Sequence, residues 1–173
     1  MPTIQKFSFS APNSGGEGTE DREKPEDWRS ASYRWMDGDQ VLKPRFGHPL
    51  TSELDWAEAV EEGLPTEALE AAMDRSGLSW TEIGELVIPR RTFSHRREKD
   101  QALTPEESDR LVRLLRILTK ARETFQSEEK AGRWLGEENR ALGRRTPLET
   151  LRTESGARLV ENVLGRIAHG VYS

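Results

Sequence analysis

The sequence predicts an all-α fold behind a mostly irregular N-terminal arm, on three observations. From Thr51 onward apolar residues recur at spacings of three and four, the pattern of helices with one buried face. The stretches "SWTE" at 79–82 and "TPEE" at 104–107 are capping boxes, and "TPLE" at 146–149 repeats the second. No convincing strand run follows Phe46.

Residues 10–27, "SAPNSGGEGTEDREKPED", offer almost nothing to bury and read as a disordered arm. In "SYRWMDGDQVLKPRF", Tyr33 and Trp35 alternate ahead of Asp37-Gly38, a type I′ turn signal. That stretch reads either as a short hairpin or as an arm laying two aromatics on a neighbour. Ser52 caps a helix with Asp55 in its first turn, Trp56 and Val60 four apart, and Gly63 at its end. Thr66 begins the next, with Leu69 and Met73 on one face and Gly77 as terminator. The helix from Ser79 is short and carries Ile83 and Leu86 inward. Pro89 then stands at the first position of a further helix whose inward anchor is Phe93.

Thr104 opens a long helix with Leu111, Leu114, Leu115, Leu118 and Phe125 at helical spacing. Ser127 starts another, with Ala131, Trp134 and Leu135 inward and Gly143 at its end. The last, Glu154 to Ala168, is expected to bury Leu159, Val160, Val163, Leu164 and Ile167 before Gly170 stops it.

The chain has 173 residues, 34% hydrophobic and 33% charged, with a mean hydropathy of −0.80, which suits a modest core under solvated helix faces. It holds no cysteine, so a disulfide framework and thiolate chemistry are excluded and a reducing cytoplasm is the expected setting. His48, His95 and His169 are far apart and outside any ligand motif, so no metal and no cofactor is expected. No apolar run is long enough to span a bilayer, and no membrane partner is expected. The carboxylates sit in capping boxes and on polar faces, paired with no base, so no catalytic residue is assigned and an enzyme is the least supported class.

Against a formal charge of −5, the stretch "VIPRRTFSHRREKD" places five basic residues and a histidine in fourteen positions. Short helix, tight connection and second helix give residues 79–99 the outline of a helix-turn-helix, whose second helix enters the major groove. With Phe93 inward, Arg91, Ser94, His95 and Glu98 point outward and are the base-edge or groove candidates, Glu98 excepted. Arg90, Arg96 and Arg97 fall on the flanks, where they serve phosphates or pair with carboxylates such as Glu82 and Glu85. The competing reading is a solvated charged face with internal ion pairs.

The stretches "GLPTEALEAAMDRSGLSWTEI", "VIPRRTFSHRR" and "LTPEESDRLVRLLRI", followed by "WLGEENRALGRRTPLETLRTESGARLVENVLGRIAHGVYS", resemble the Xre/MbcA/ParS-type antitoxins, partners of RES-domain toxins. The likeness runs in order from about Leu54 to the last residue and departs from the family pattern at Glu138 and Arg152. It implies an Xre/Cro-like helix-turn-helix region at 51–125 and a toxin-binding domain at 126–173, behind an arm at 1–50 that has no counterpart. It also implies an NAD-consuming toxin whose active-site entrance the C-terminal helices cover. Operator DNA and further copies of the chain within the complex are the other implied partners. Carried over by position, Trp134, Leu135 and Asn139 match the toxin-binding signature, and Gly170, Val171, Tyr172 and Ser173 its terminal segment. Read without the resemblance, Trp134 is a core residue and the terminal residues a frayed end. A stand-alone helix-turn-helix regulator, with C-terminal helices that only dimerise, is the alternative function.

Overall fold

A computed structural model describes residues 28–84 and 86–170. Their helices are α1 (Trp28–Trp35), α2 (Gly38–Val41), α3 (Lys43–Phe46), α4 (Glu53–Glu62), α5 (Thr66–Ser76) and α6 (Trp80–Gly84). Then come α7 (Arg90–Glu98), α8 (Pro105–Phe125), α9 (Glu128–Gly136), a 3-10 turn at Arg140–Leu142, α10 (Pro147–Thr150) and α11 (Glu154–Ala168). Among the described residues the only β pairing is an isolated bridge between Asn139 and Arg145. The all-α expectation is met.

Local chemistry sets most helix starts. Ser52 with Asp55, Thr104 with Glu107 and Thr146 with Glu149 all form reciprocal capping boxes, and Ser79 with Glu82 makes the same pair of bonds. Two backbone N–H groups, of Ser52 and Thr51, donate to the Asp55 carboxylate and hold it below its ordinary range.

The spine is α8, which packs against α1, α4, α9 and α11. Its buried Leu111, Leu114, Leu115, Ile117, Leu118, Thr119 and Ala121 cover more than half its circumference, so it must be enclosed by several neighbours rather than by one. A single hydrophobic cluster runs from Tyr33 to Leu164 and draws on both halves of the chain. Two hydrogen bonds between buried groups cross it. Ser32 and Thr119 hydroxyls meet at 2.7 Å between α1 and α8, and the Leu64 N–H donates to Ser108 Oγ at 2.9 Å.

The expected hairpin does not form. Asp37 adopts a left-handed conformation (φ 57°) and ends one helix, and Gly38 begins the next. The reason lies in the aromatic packing: a β-carbon on Gly38 would stand 2.5 Å from the Tyr33 ring, so glycine is what lets that ring lie flat on the backbone. Tyr33, Trp35, Met36, Leu42 and Leu50 are all buried, so residues 28–50 are helical and belong to the core. Burial, and then the hydrogen bond that the Tyr33 hydroxyl donates to Asp39, push its pKa up to about 12. The segment expected to be disordered, 10–27, lies outside the described residues.

Two C-terminal expectations also change. The helix from Ser127 ends at Gly136, not Gly143, because the Asn139 side chain accepts from the Ala141 N–H at 2.8 Å and starts a separate turn. Gly143, at φ 67°, closes that turn. On α11, Val160, Val163 and Leu164 are buried and Ile167 is partly buried as expected, whereas Leu159 is 42% exposed. It lies at the edge of the buried stripe, where one helical turn faces solvent.

Candidate functional site

Two regions carry the candidate residues: the arginine helix α7 and the C-terminal elements from α9 to α11. Leu86, Val87 and Ile88 are buried between α6 and α7, and this apolar plug fixes the connection without a glycine. Pro89, with extended geometry (φ −59°, ψ 138°), is the cap before α7 rather than its first residue, one position from the expectation. Phe93 is buried and meets Trp80 of α6 at 4.7 Å between ring centroids.

That anchor orients the charged face. Arg90, Arg91, Ser94, His95, Arg97 and Glu98 are exposed, and Arg96 is half-buried. The Arg90 and Arg91 side chains make no hydrogen bond or ion pair with any described residue. The other two arginines of α7 are engaged, though not with the expected partner Glu82, and Glu85 lies outside the described residues. Arg96 clasps Glu107 of α8, with Nε 3.0 Å from Oε2 and Nη2 donating to Oε1 at 3.2 Å. Arg97 reaches Glu70 of α5, Nη1 to Oε1, at 2.8 Å. Sequence reasoning missed both carboxylates. Glu107 was absorbed by its capping role, and Glu70 lies on a helix whose polar face gives no local sign of a partner.

In the C-terminal region the matched signature residues build the scaffold. Leu135 is fully buried, and Trp134 is partly buried against Phe125, with centroids 5.6 Å apart. Asn139 holds the turn after α9 through its side chain and through its N–H, which donates to the Arg145 carbonyl at 3.0 Å. Gly156 sits where a β-carbon would collide with the Thr150 carbonyl oxygen, so α10 and α11 meet backbone to backbone. Gly170 has φ 68° and turns the chain off the end of α11, as expected. Val171, Tyr172 and Ser173 lie outside the described residues.

Ion pairs tie α11 to the spine. Glu154 accepts from Arg116 at 3.0 Å, from Arg113 at 3.1 Å and from Arg158 at 3.4 Å, and Arg116 also reaches Glu161 at 2.6 Å. Partial burial works to raise the Glu154 carboxyl, but Arg116, then Arg113 and Arg158, outweigh it and hold the group below its ordinary 4.5. A carboxyl depressed in the native state stabilises it fully above its unfolded value, and that contribution is lost as pH falls through the native value. Glu154→Gln is therefore expected to cost about 1 kcal/mol at neutral pH, a modest figure because solvent screens the network. Urea unfolding at pH 7 and pH 3 checks this: the gap between the two proteins should shrink at the lower pH, and an unchanged gap would contradict the assignment.

No helix among the described residues is long and apolar enough to cross a membrane.

Comparison with known proteins agrees with this layout. Residues 55–116 match the antitoxin Xre-like helix-turn-helix domain, and residues 120–170 match the antitoxin Xre/MbcA/ParS C-terminal toxin-binding domain. Both matches reach into α8, the helix that packs against both halves. The chain is 40% identical over 136 residues to an antitoxin Xre of Yersinia enterocolitica, covering 78% of this chain and 92% of that protein. It is 35% identical over 121 residues to an antitoxin Xre of Pseudomonas putida, covering 70% and 76% of the two chains. A third antitoxin Xre, from Photorhabdus laumondii, is 33% identical over 129 residues, covering 73% and 87%.

Proposed function

The chain belongs to the Xre/MbcA/ParS antitoxin family, and on that premise we propose that it neutralises a RES-domain, NAD-consuming toxin in the cytoplasm and represses its own operon. Residues 126–173 cover the toxin's active-site entrance, and the terminal Gly170, Val171, Tyr172 and Ser173 form the part that enters the cleft. Trp134, Leu135 and Asn139 set the shape of the surface that the toxin meets. More than one copy of the chain takes part in the complex, and no catalysis of its own is assigned to it. The observation that carries the reading is the match of residues 120–170 to a toxin-binding domain, a span that contains the α9–α11 scaffold.

The test is co-expression with the neighbouring toxin gene while growth and cellular NAD are followed. The full-length chain should restore both, and a chain lacking Val171–Ser173 at equal level should restore neither. Full protection by the shortened chain would remove the plugging mechanism. Failure of both soluble forms to protect would leave the stand-alone regulator.

For DNA, α7 enters the major groove with Arg91, Ser94 and His95 toward the bases and the flanking Arg90 and Arg97 toward the backbone, while Arg96 stays on Glu107. The outward side chains of Arg90 and Arg91, held by the Phe93 anchor, support this placement. Arg91→Ala is expected to weaken operator binding by about 1–3 kcal/mol, the worth of one discriminating contact. A gel-shift titration indifferent to that change would return α7 to a solvated charged face.

A further inference from the structure

We infer that Glu70 is an internal counter-ion that competes with DNA phosphate for Arg97, and so sets the affinity and salt dependence of operator binding. The inference rests on the DNA reading of α7. Two of that helix's four arginines are held by carboxylates from other helices, but the two pairs differ in exposure. The Arg96 and Glu107 side chains are 21% and 13% exposed and are joined through two nitrogens, so this pair belongs to the packing between α7 and α8. The Arg97 and Glu70 side chains are 63% and 30% exposed and meet through one nitrogen. A pair so open to water contributes little to stability, and its arginine can exchange one oxyanion for another. A phosphate oxygen is the same kind of acceptor.

The surroundings sharpen the point. Arg90 and Arg97 line a groove between α5 and α7 together with Glu70, Glu98, Trp80 and Phe93. Two guanidinium groups face two carboxylates there, so the groove presents no net charge to a polyanion while Glu70 is ionised. Neutralising Glu70 leaves a positive groove and a released Arg97 beside the proposed base-reading face. Glu70 thus limits non-specific attraction to phosphate, which supplies affinity without sequence information.

The experiment titrates a labelled duplex, carrying the sequence upstream of this chain's own coding region, with four full-length proteins: the unaltered chain, Glu70→Gln, Arg97→Gln and the double variant. Salt is varied from about 50 to 200 mM, the range over which phosphate contacts are resolved. Glu70→Gln is expected to bind about two- to fivefold more tightly, the range an exposed ion pair supports. Its log-affinity against log-salt slope should steepen by about one, for one added phosphate contact. Both gains should vanish in the Arg97→Gln background. An unchanged affinity for Glu70→Gln, or the same gain without Arg97, overturns the inference while leaving the DNA reading in place. Absence of binding by all four proteins removes the DNA reading and the inference together.

Discussion

Gly63→Ala is expected to destabilise the protein by about 3–5 kcal/mol, since it combines backbone strain with a steric collision, each worth roughly 1–3. Gly63 ends α4 at φ 87° and ψ 126°, a region that L side chains rarely occupy. A β-carbon there would also collide with the Leu103 carbonyl oxygen, and that oxygen cannot simply retreat. Its residue is pinned by its own N–H, which donates to the Leu64 carbonyl at 2.9 Å, while the Leu64 N–H donates to Ser108. Gly77→Ala is the control. It too has a positive φ, 67°, but a β-carbon there meets nothing within 4 Å, so only the conformational cost of about 1–2 kcal/mol applies. Urea unfolding of the two variants decides the matter, and equal losses would show that the close approach to Leu103 contributes nothing.

The second large effect is expected from a chain that begins at Thr51. Such a chain lacks Tyr33, Trp35, Met36, Leu42 and Leu50, all buried, and leaves the Thr119 hydroxyl without its Ser32 partner. At about 1.5–3 kcal/mol for each large buried side chain, the loss is on the order of 10 kcal/mol, comparable to the whole stability of a domain. The shortened chain should keep much of its helical far-ultraviolet signal, lose its near-ultraviolet signal and melt without a sharp transition. A cooperative melt within a few degrees of the full-length protein would show that residues 28–50 are an appendage after all. The outcome bears on function as well. α8 packs against α11 and holds Arg96 of the arginine helix through Glu107, so loss of its α1 cover would weaken both proposed interfaces at once.

What could be read locally was read well. The Ser and Thr caps at positions 52, 79, 104 and 146 depend on residues three apart, so no information beyond a single turn was needed to find them. The errors share a different cause. Leu142 stands seven residues after Leu135 and prolongs the helical period, which hid the break that Asn139 introduces. Tyr33 and Trp35 alternate as a strand would, and only the neighbouring helices supply the surfaces that bury both from a helix. Leu159 fits the apolar stripe of α11 by spacing, yet the packed neighbours cover a narrower arc than the stripe occupies.

The candidate sites divide along the same line. The outward set on α7 follows from one anchor and the helical period, and Arg91, Ser94 and His95 are where the wheel placed them. The partners of Arg96 and Arg97 could not be read, since Glu107 and Glu70 come from other helices.

The sequence by itself determined the helical class, most helix starts, the inward role of Phe93 and, through its resemblance, the antitoxin family. These rest on hydrogen bonds and periodicities closed within a few residues, or on a pattern of residues that survives without coordinates. Only the tertiary structure decided that residues 28–50 complete the core, that Gly63 and Gly156 mark backbone contacts, and which arginines of α7 are already engaged. Each of those depends on two segments distant in sequence reaching the same place, and the free energy of such a contact belongs to neither segment alone.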